Sequence, residues 1–385
     1  MKPRLLVVLS RFPFPLDKGD KLRAFYFIKH LSLSRTIYLF ALSDEGYKTE
    51  ALPALQPYCE EIHVLPLSKP TLFLNLLTGF FNSLPFQVNY FSHTKHLETI
   101  HSAIQRIKPE GIFIQLPRVA EYVRTVQGIH KTIDYQDCFS KIMESRAKSG
   151  SWPLKWVYAW EADRLKKYEA SIFPDFQQHI IISTSDLEAM PLSETQKSKV
   201  KISPNGVELE HYSPLDSPKE FDVFFAGNMS YPPNVEASVY LVEEVMPLVW
   251  KKHPQVKVAL IGTTPHFRVK NLATEKVIVT GFVEDVRTWY GKGRMLVAPM
   301  LIGAGLQNKL LQAMSMEIPC ITTPLANAAL GGKEGTQVLI GKTAEELAHH
   351  ILYLLNNKES ALKIAQEGRA FVSKSFSWDE AVSAV

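Results

Sequence analysis

Short, uninterrupted apolar runs alternate with longer stretches of helical period along most of this chain. Leu5–Leu9, Thr36–Leu42, Ile62–Leu65, Gly111–Gln115, Lys131–Asp134 and His179–Ser183 read as strands. Between them, apolar residues recurring every three to four positions predict helices over about Asp20–Leu31, Leu97–Ile107, Val119–Val126, Leu154–Ile172 and Asp186–Met190. Strands alternating with helices give parallel sheets covered on both faces. The alternation pauses from Ser203-Pro204-Asn205-Gly206 through Ser213-Pro214 to Ser217-Pro218, where prolines and an Asn-Gly turn mark a linker. It restarts with Phe221–Ala226, Val256–Ile261, Lys276–Thr280, Met295–Ala298 and Pro319–Thr322, and two helices, Glu345–Leu355 and Glu359–Phe376, close the chain. The pattern predicts two α/β domains of similar size facing a cleft: residues 1–203, a linker over 204–219, and residues 220–385 including the closing helices.

Three strand ends in the second half meet glycine. Phe221–Ala226 leads to Gly227-Asn228, Lys276–Thr280 to Gly281-Phe282-Val283, and Met295–Ala298 to a turn with Gly303 and Gly305. That last turn, Gly303-Ala304-Gly305-Leu306, opens directly into a helix whose first residues include Gln307-Asn308-Lys309. Glycine lets the backbone approach a ligand closely, and the free N–H groups of a helix start attract an anion. A lysine in the first turn opposes the helix dipole, so Lys309 is expected to face a bound anion. The alternative for this turn is glycine kept only for strand–helix packing.

The first strand leads into Arg11-Phe12-Pro13-Phe14-Pro15-Leu16-Asp17-Lys18-Gly19-Asp20-Lys21-Leu22-Arg23. Gly19 again permits close backbone approach, Asp20 is placed to cap the next helix, and Lys18, Lys21 and Arg23 bring cations to the edge of the first strand. The segment reads either as a solvated helix start or as a lid on a phosphate held mainly by the other domain. Asp134 and Asp137, after the strand Lys131–Asp134, are the carboxylates best placed to orient an attacking hydroxyl, or else they cap and satisfy the local loop. Glu161, Arg164 and Glu169 on one helix read as a surface ion-pair ladder, or else as part of a site.

Composition narrows the class. The chain has 385 residues, 46% apolar and 21% charged, the makeup of a soluble globular protein with room for two domains. The net charge of +4 suits an anionic substrate or a membrane surface, and no basic block with interleaved aromatics supports nucleic-acid binding. Cys59, Cys138 and Cys320 have no metal-ligand spacing and read as buried, reduced thiols of a cytosolic protein. Leu5–Leu9 is too short for a secretion signal. Thr71–Phe81, TLFLNLLTGFF, is about half the length of a membrane span. It is either a core helix or a helix lying on a membrane or binding a lipid-like acceptor, with the aromatic stretch Phe86–Phe91 behind it.

Through FPFPLDKGDKLR, WPLKWVYAWEADRLKKYE, NGVELEHYSP, FFAGNMSYPPNVEA, VTGFVEDVR and GLQNKLLQAM, the sequence resembles glycosyltransferase family 4. More narrowly, it resembles the bacterial sugar transferases associated with exosortase and exopolysaccharide loci. The resemblance implies the GT-B fold, two Rossmann-like domains facing a cleft. It implies that the C-terminal domain binds a nucleotide-diphosphate sugar, with Gly227 and Asn228 near the diphosphate and Gly281, Phe282 and Val283 near the base. Residues 302–309 would then cradle phosphates and sugar. The N-terminal domain would bind a glycan or lipid-linked acceptor, with Gly19-Asp20 approaching the sugar phosphate. The implied chemistry is transfer with retention, without a cofactor or an obligatory metal; the reduced thiols and the Thr71–Phe91 segment place the expected site of action in the cytoplasm or at the inner face of the cytoplasmic membrane. The family's usual pair of glutamates is replaced here by Ala304 and Gln312, and its lysine past the Gly227 loop gives way to Ser230-Tyr231-Pro232-Pro233. Lys309, the N–H groups around Gly305, and Lys18 or Arg23 are therefore the groups expected to stabilise the leaving diphosphate.

Other readings stay open. One is a non-catalytic nucleotide-sugar-binding protein or partner subunit, motivated by Gln312. Another is a sugar epimerase on the same fold. An NAD-dependent oxidoreductase is disfavoured, because Ser10-Arg11-Phe12-Pro13 follows the first strand in place of a Gly-x-Gly-x-x-Gly turn.

Overall fold

The computed structural model describes residues 2–16, 18–44, 49–150, 152–303 and 305–385. The chain forms two compact units, Met1–Pro204 with Trp378–Val385, and Asn205–Ser377.

The first unit is built on seven strands: β1 (Arg4–Leu9), β2 (Thr36–Ser43), β3 (Glu61–Pro66), β4 (Gly111–Gln115), β5 (His130–Gln136), β6 (Gln178–Ile181) and β7 (Val200–Ile202). They lie in the order β3-β2-β1-β4-β5-β6-β7, every neighbouring pair parallel. Side chains of a strand alternate between faces, and here both faces are covered. Leu6 and Val8 of β1 enter one core while Leu5, Val7 and Leu9 enter another. The helices that matter for function are α1 (Gly19–Leu31), α2 (Lys69–Thr78), α3 (Phe86–Phe91), α4 (Thr94–Ile107), α5 (Phe139–Ser149) and α6 (Leu154–Ile172).

The second unit holds β8 (Phe221–Ala226), β9 (Val258–Ile261), β10 (Val277–Val279), β11 (Gly293–Ala298), β12 (Cys320–Thr322) and β13 (Leu339–Ile340). Their order is β10-β9-β8-β11-β12-β13, again all parallel. In both sheets the strand order reverses beside the first strand of the unit. Connections then leave the carboxyl edge in opposite directions and open a crevice there, at β1/β4 and at β8/β11.

Several elements differ from the sequence reading. Strands β7 and β13 are too short to show a period. Val119–Val126 is no α-helix; a 3-10 turn covers Pro117–Tyr122 instead. The proline-rich stretch after Pro204 is not a free linker, since Val207 is buried and its N–H donates to the Phe376 carbonyl at 2.9 Å. A last helix, Trp378–Val382, docks on the first unit, where Trp378 stacks on Tyr26 with ring centroids 4.8 Å apart. Cys59 is only half-buried; all three thiols are free. On α2 only Leu72 is buried, so this is not a core helix.

The charges of α6 are no surface ladder. Glu161, Arg164 and Glu169 are all buried. Glu161 accepts the N–H groups of Phe86 and Gln87 at 2.8 and 3.0 Å, which satisfies the start of α3. Glu169 accepts from the N–H groups of Phe139 and Ser140 and from the Ser140 hydroxyl, at 2.9, 3.3 and 2.6 Å, and so caps α5. Helix starts carry N–H groups without intrahelical partners, and here carboxylates from a neighbouring helix supply them.

Burial pushes the Glu169 carboxyl up from 4.5 to about 7, against the pull of its donors. A carboxyl raised on folding stabilises fully below its unfolded pKa and loses that contribution as pH rises through the folded one. Stability should therefore fall by up to about 3 kcal/mol between about pH 4.5 and 7 on this account. In Glu169→Gln that component of the slope disappears, which thermal unfolding across this pH range measures.

Candidate functional site

At the carboxyl edge of the first sheet, α1 starts after the loop from β1. Lys18 takes the N-cap position without a side-chain cap, and Asp20 sits in the first turn rather than capping it. Asp20 instead accepts from Arg11 at 3.1 Å, and its backbone carbonyl accepts from Gln115 at 3.1 Å. Gly19 is exposed and a Cβ there would meet nothing within 4 Å, so the backbone is open to a ligand. Lys18 is half-exposed beside it.

Arg23 and Asp134 are not placed as catalytic groups. Both side chains are fully buried, with Arg23 Nε 2.5 Å and a terminal nitrogen 3.2 Å from the Asp134 carboxylate. The guanidinium also lies 4.4 Å from the Phe27 ring centre. These two charges neutralise one another.

Asp137 is different. It is half-buried, and among the described residues no hydrogen bond reaches its carboxylate. Burial raises its pKa to about 7, with Asp186, Asp134 and Asp20 adding to the rise and Arg23 opposing it. A carboxyl poised near neutrality suits a group that takes or lends a proton. At the same sheet edge, just after β4, the sequence reading missed Arg118, whose guanidinium lies 4.8 Å from the Phe139 ring centre and donates to Gln87 Oε1 at 2.9 and 3.2 Å. Burial, with Arg11 and Arg146 nearby, lowers its pKa to about 10 against the pull of Asp20 and Asp44. Nothing in the local sequence marks Arg118. Leu116 and Gln136, at the ends of β4 and β5, hold φ of 72° and 64°, strained backbone of the kind that gathers at functional edges.

In the second unit the glycine-ended strands meet. The backbone after β9 crosses the backbone after β8 so closely that a Cβ on Gly262 would lie 1.7 Å from the Gly227 carbonyl oxygen. Gly262 was not among the expected site residues, although it ends its strand just as Gly227 does. Its N–H donates to Thr280 Oγ1 at 3.2 Å, which ties in the turn of Gly281. Asn228 folds its side chain back to accept from the Ser230 N–H and hydroxyl at 3.0 and 2.8 Å. Asn234 joins the parts: its amide nitrogen donates to the Asn228 carbonyl at 2.9 Å, and its oxygen accepts from Lys309 at 2.7 Å. Gly303, at φ 91°, lies over Pro233, and a Cβ there would be 3.5 Å away.

Lys309 is buried, its ammonium 4.3 Å from the Phe225 ring centre. Among the described residues no carboxylate pairs with it, and desolvation lowers its pKa to about 7. It belongs to the helix Asn308–Ser315, which no side chain caps; Gln307 at the cap position turns to the Gly305 carbonyl at 2.9 Å. Asn308 accepts from Asn205 at 3.2 Å. Leu306 and Val283 pack on the core, and Phe282 is exposed. Ala304 lies outside the described residues. Gln312 is held between two phenols, donating to Tyr212 at 3.0 Å and accepting from Tyr290 at 3.3 Å. Among the described residues no group of three or more His, Cys, Asp or Glu side chains is placed to hold a metal ion.

Residues 220–357, which carry this cradle, match the family model described as glycosyl transferases group 1. The second unit carries a group 1 glycosyltransferase domain. The whole chain is similar in structure to the sucrose-phosphate synthase of Thermosynechococcus elongatus, with a TM-score of 0.71 and 14% identity over 99% of this chain and 96% of the other. It is similar to Anabaena HepE in complex with UDP, with a TM-score of 0.69 and 13% identity over 99% and 97%. A 44.6 kDa protein in the cps region of Klebsiella pneumoniae is 21% identical over 99% of this chain and 98% of its own length. The two parallel-sheet units of the glycosyltransferase domain and its partner are those of the GT-B fold.

Arg23→Ala leaves the Asp134 carboxylate buried without its counter-charge, holding only the Gln136 N–H at 3.1 Å among the described residues. Stability should fall by about 3–5 kcal/mol in urea denaturation. The double variant Arg23→Ala/Asp134→Ala should lose clearly less than the sum of the two single variants.

Proposed function

We propose that the protein is a retaining glycosyltransferase that moves a sugar from a nucleotide-diphosphate sugar to a hydroxyl of a glycan or lipid-linked acceptor in cell-surface polysaccharide synthesis. The observation that carries this reading is Lys309, a buried ammonium that donates to the Asn234 oxygen and, at 3.9 Å, to the Met300 sulfur and has no carboxylate partner among the described residues, at an uncapped helix start beside the Gly227–Gly262 crossing. A lysine there has donors to spare, and a diphosphate supplies the missing negative charge. As the bond to the anomeric carbon breaks, charge grows on the leaving oxygen, and these groups are already aimed where it appears. Attack from the same face, with the leaving phosphate taking the proton, needs no carboxylate nucleophile. Asp137 and Arg118 then serve the acceptor, while Asp134 serves the fold. The cps-region relative and the UDP complex of HepE support the substrate classes.

A second reading has its own support. Gln312 is neutral and occupied by Tyr212 and Tyr290, which weakens a ribose contact and suits a non-catalytic nucleotide-sugar binder.

Thermal unfolding with UDP, GDP, ADP and dTDP, with and without EDTA, tests donor binding, and sugar transfer with the donor so found separates the two readings. One diphosphate should raise the midpoint selectively and without added metal. Lys309→Met should abolish that shift while raising the midpoint of the unliganded protein at acid pH, where the wild type buries an unpaired charge. Because Lys309 sits near 7 in the free protein and a diphosphate holds it charged, binding takes up a proton. Affinity should be full below about pH 7 and fall by up to about tenfold per unit above it. The variant should lack this slope. No shift with any diphosphate would overturn the proposal.

A further inference from the structure

Large apolar side chains crowd one face of the first unit. On α2 and the turn after it, Phe73, Leu74, Phe80 and Phe81 are exposed, Phe81 at 91%. At the start of α6, Trp152, Trp156 and Trp160 are exposed as well. The two stretches form one surface, since the Phe80 and Trp160 ring centres are 5.7 Å apart and Arg164 of α6 donates to the Asn82 carbonyl at 2.6 Å. Isolated exposed apolar residues need no explanation, but a contiguous aromatic patch marks a binding face.

The charges nearest the patch are mainly basic, and the exposed Asp163, one turn past Trp160, is paired with Lys167 at 2.7 Å. Residues 62–97 and 145–160 contain no aspartate or glutamate. They do contain Lys69 and Lys155, both exposed, and the Lys155 ammonium lies 5.4 Å from the Trp156 ring centre. Tryptophan with an apolar body and a polar N–H, flanked by lysines whose stems run along apolar surface, suits the headgroup region of a bilayer. Among the described residues no helix is long and apolar enough to cross a membrane.

We infer that this face docks the protein on an anionic lipid bilayer, with Phe81, Trp152 and Trp156 at headgroup depth and Lys69 and Lys155 against the lipid phosphates. The inference is separate from the transferase reading, because vesicle binding needs neither donor nor acceptor.

Co-sedimentation of the full chain tests it, using vesicles of phosphatidylglycerol with phosphatidylcholine and vesicles of phosphatidylcholine alone. The wild type should bind the anionic vesicles far better, and added salt should weaken that binding. Phe81→Ser/Trp156→Ser and Lys69→Glu/Lys155→Glu should each weaken it by about tenfold or more. Should the aromatic variant melt early, the lysine variant carries the test, since both its side chains are exposed. Absence of wild-type binding, or binding unchanged in the lysine variant, would overturn the inference. So would a wild-type dimer that the aromatic substitutions dissociate, in a protein that ignores vesicles.

Discussion

The first unit is organised around one buried ion pair, Arg23 with Asp134. Neither charge reaches water, so each is tolerable only because the other is there. The pair ties α1 to the end of β5, and the same guanidinium covers Phe27, against which Trp378 packs edge-on from the last helix. Ser203, just after β7, approaches Arg23 at 3.4 Å and donates to the Ala381 carbonyl at 2.9 Å. The start of α1, the edges of β5 and β7 and the C-terminal helix thus share one anchor. With α1 fixed, Asp20 is held by Arg11 and Gln115, and the open backbone at Gly19 stays at the carboxyl edge of the sheet.

Much of this architecture is legible in the sequence because it follows from burial alone. Apolar runs such as Leu5–Leu9 and Phe221–Ala226 must be covered on both faces, and alternation with helices then dictates parallel sheets. The glycine-ended strands of the second unit are equally plain, since close backbone approach excludes a side chain. What sequence does not carry is the partner of a charge. Arg23 next to Lys18 and Lys21 reads as a member of a basic cluster, yet its counter-charge stands 111 positions away. Glu161 and Glu169 have surface spacing on α6 but lie against the starts of α3 and α5, which no helix period reveals. Arg118 follows a strand without any motif, and only the packing of Phe139 and Gln87 around it makes it part of the edge.

Lys309 inverts the logic of Arg23. The first unit buries a cation with its anion and gains an anchor. The second buries a cation against an amide oxygen and a thioether sulfur, both uncharged, and desolvation then works against its charge. Local rules are broken where function requires it, and an unpaired buried ammonium is such a breach. The neighbouring helix start has the same deficit, N–H groups that no side chain satisfies. Both deficits suit an anion with several acceptor oxygens, and on the proposed reading one diphosphate would satisfy both.

The loss of the usual glutamates fits this balance. A carboxylate at position 312, one turn along the helix from Lys309, would add negative charge close to where the diphosphate must sit. Gln312 keeps the hydrogen-bonding shape and removes that charge, at the expense of a weaker ribose contact. Tyr212 and Tyr290 supply partners that suit a neutral amide, and burial keeps both phenols protonated. Among the described residues no carboxylate pairs with Lys309, and position 312 carries none, so on the proposed reading the diphosphate would contribute more to donor affinity than the ribose. On the same reading, specificity among donors would fall to the shape around Phe282 and Val283, because the phosphates are common to all of them.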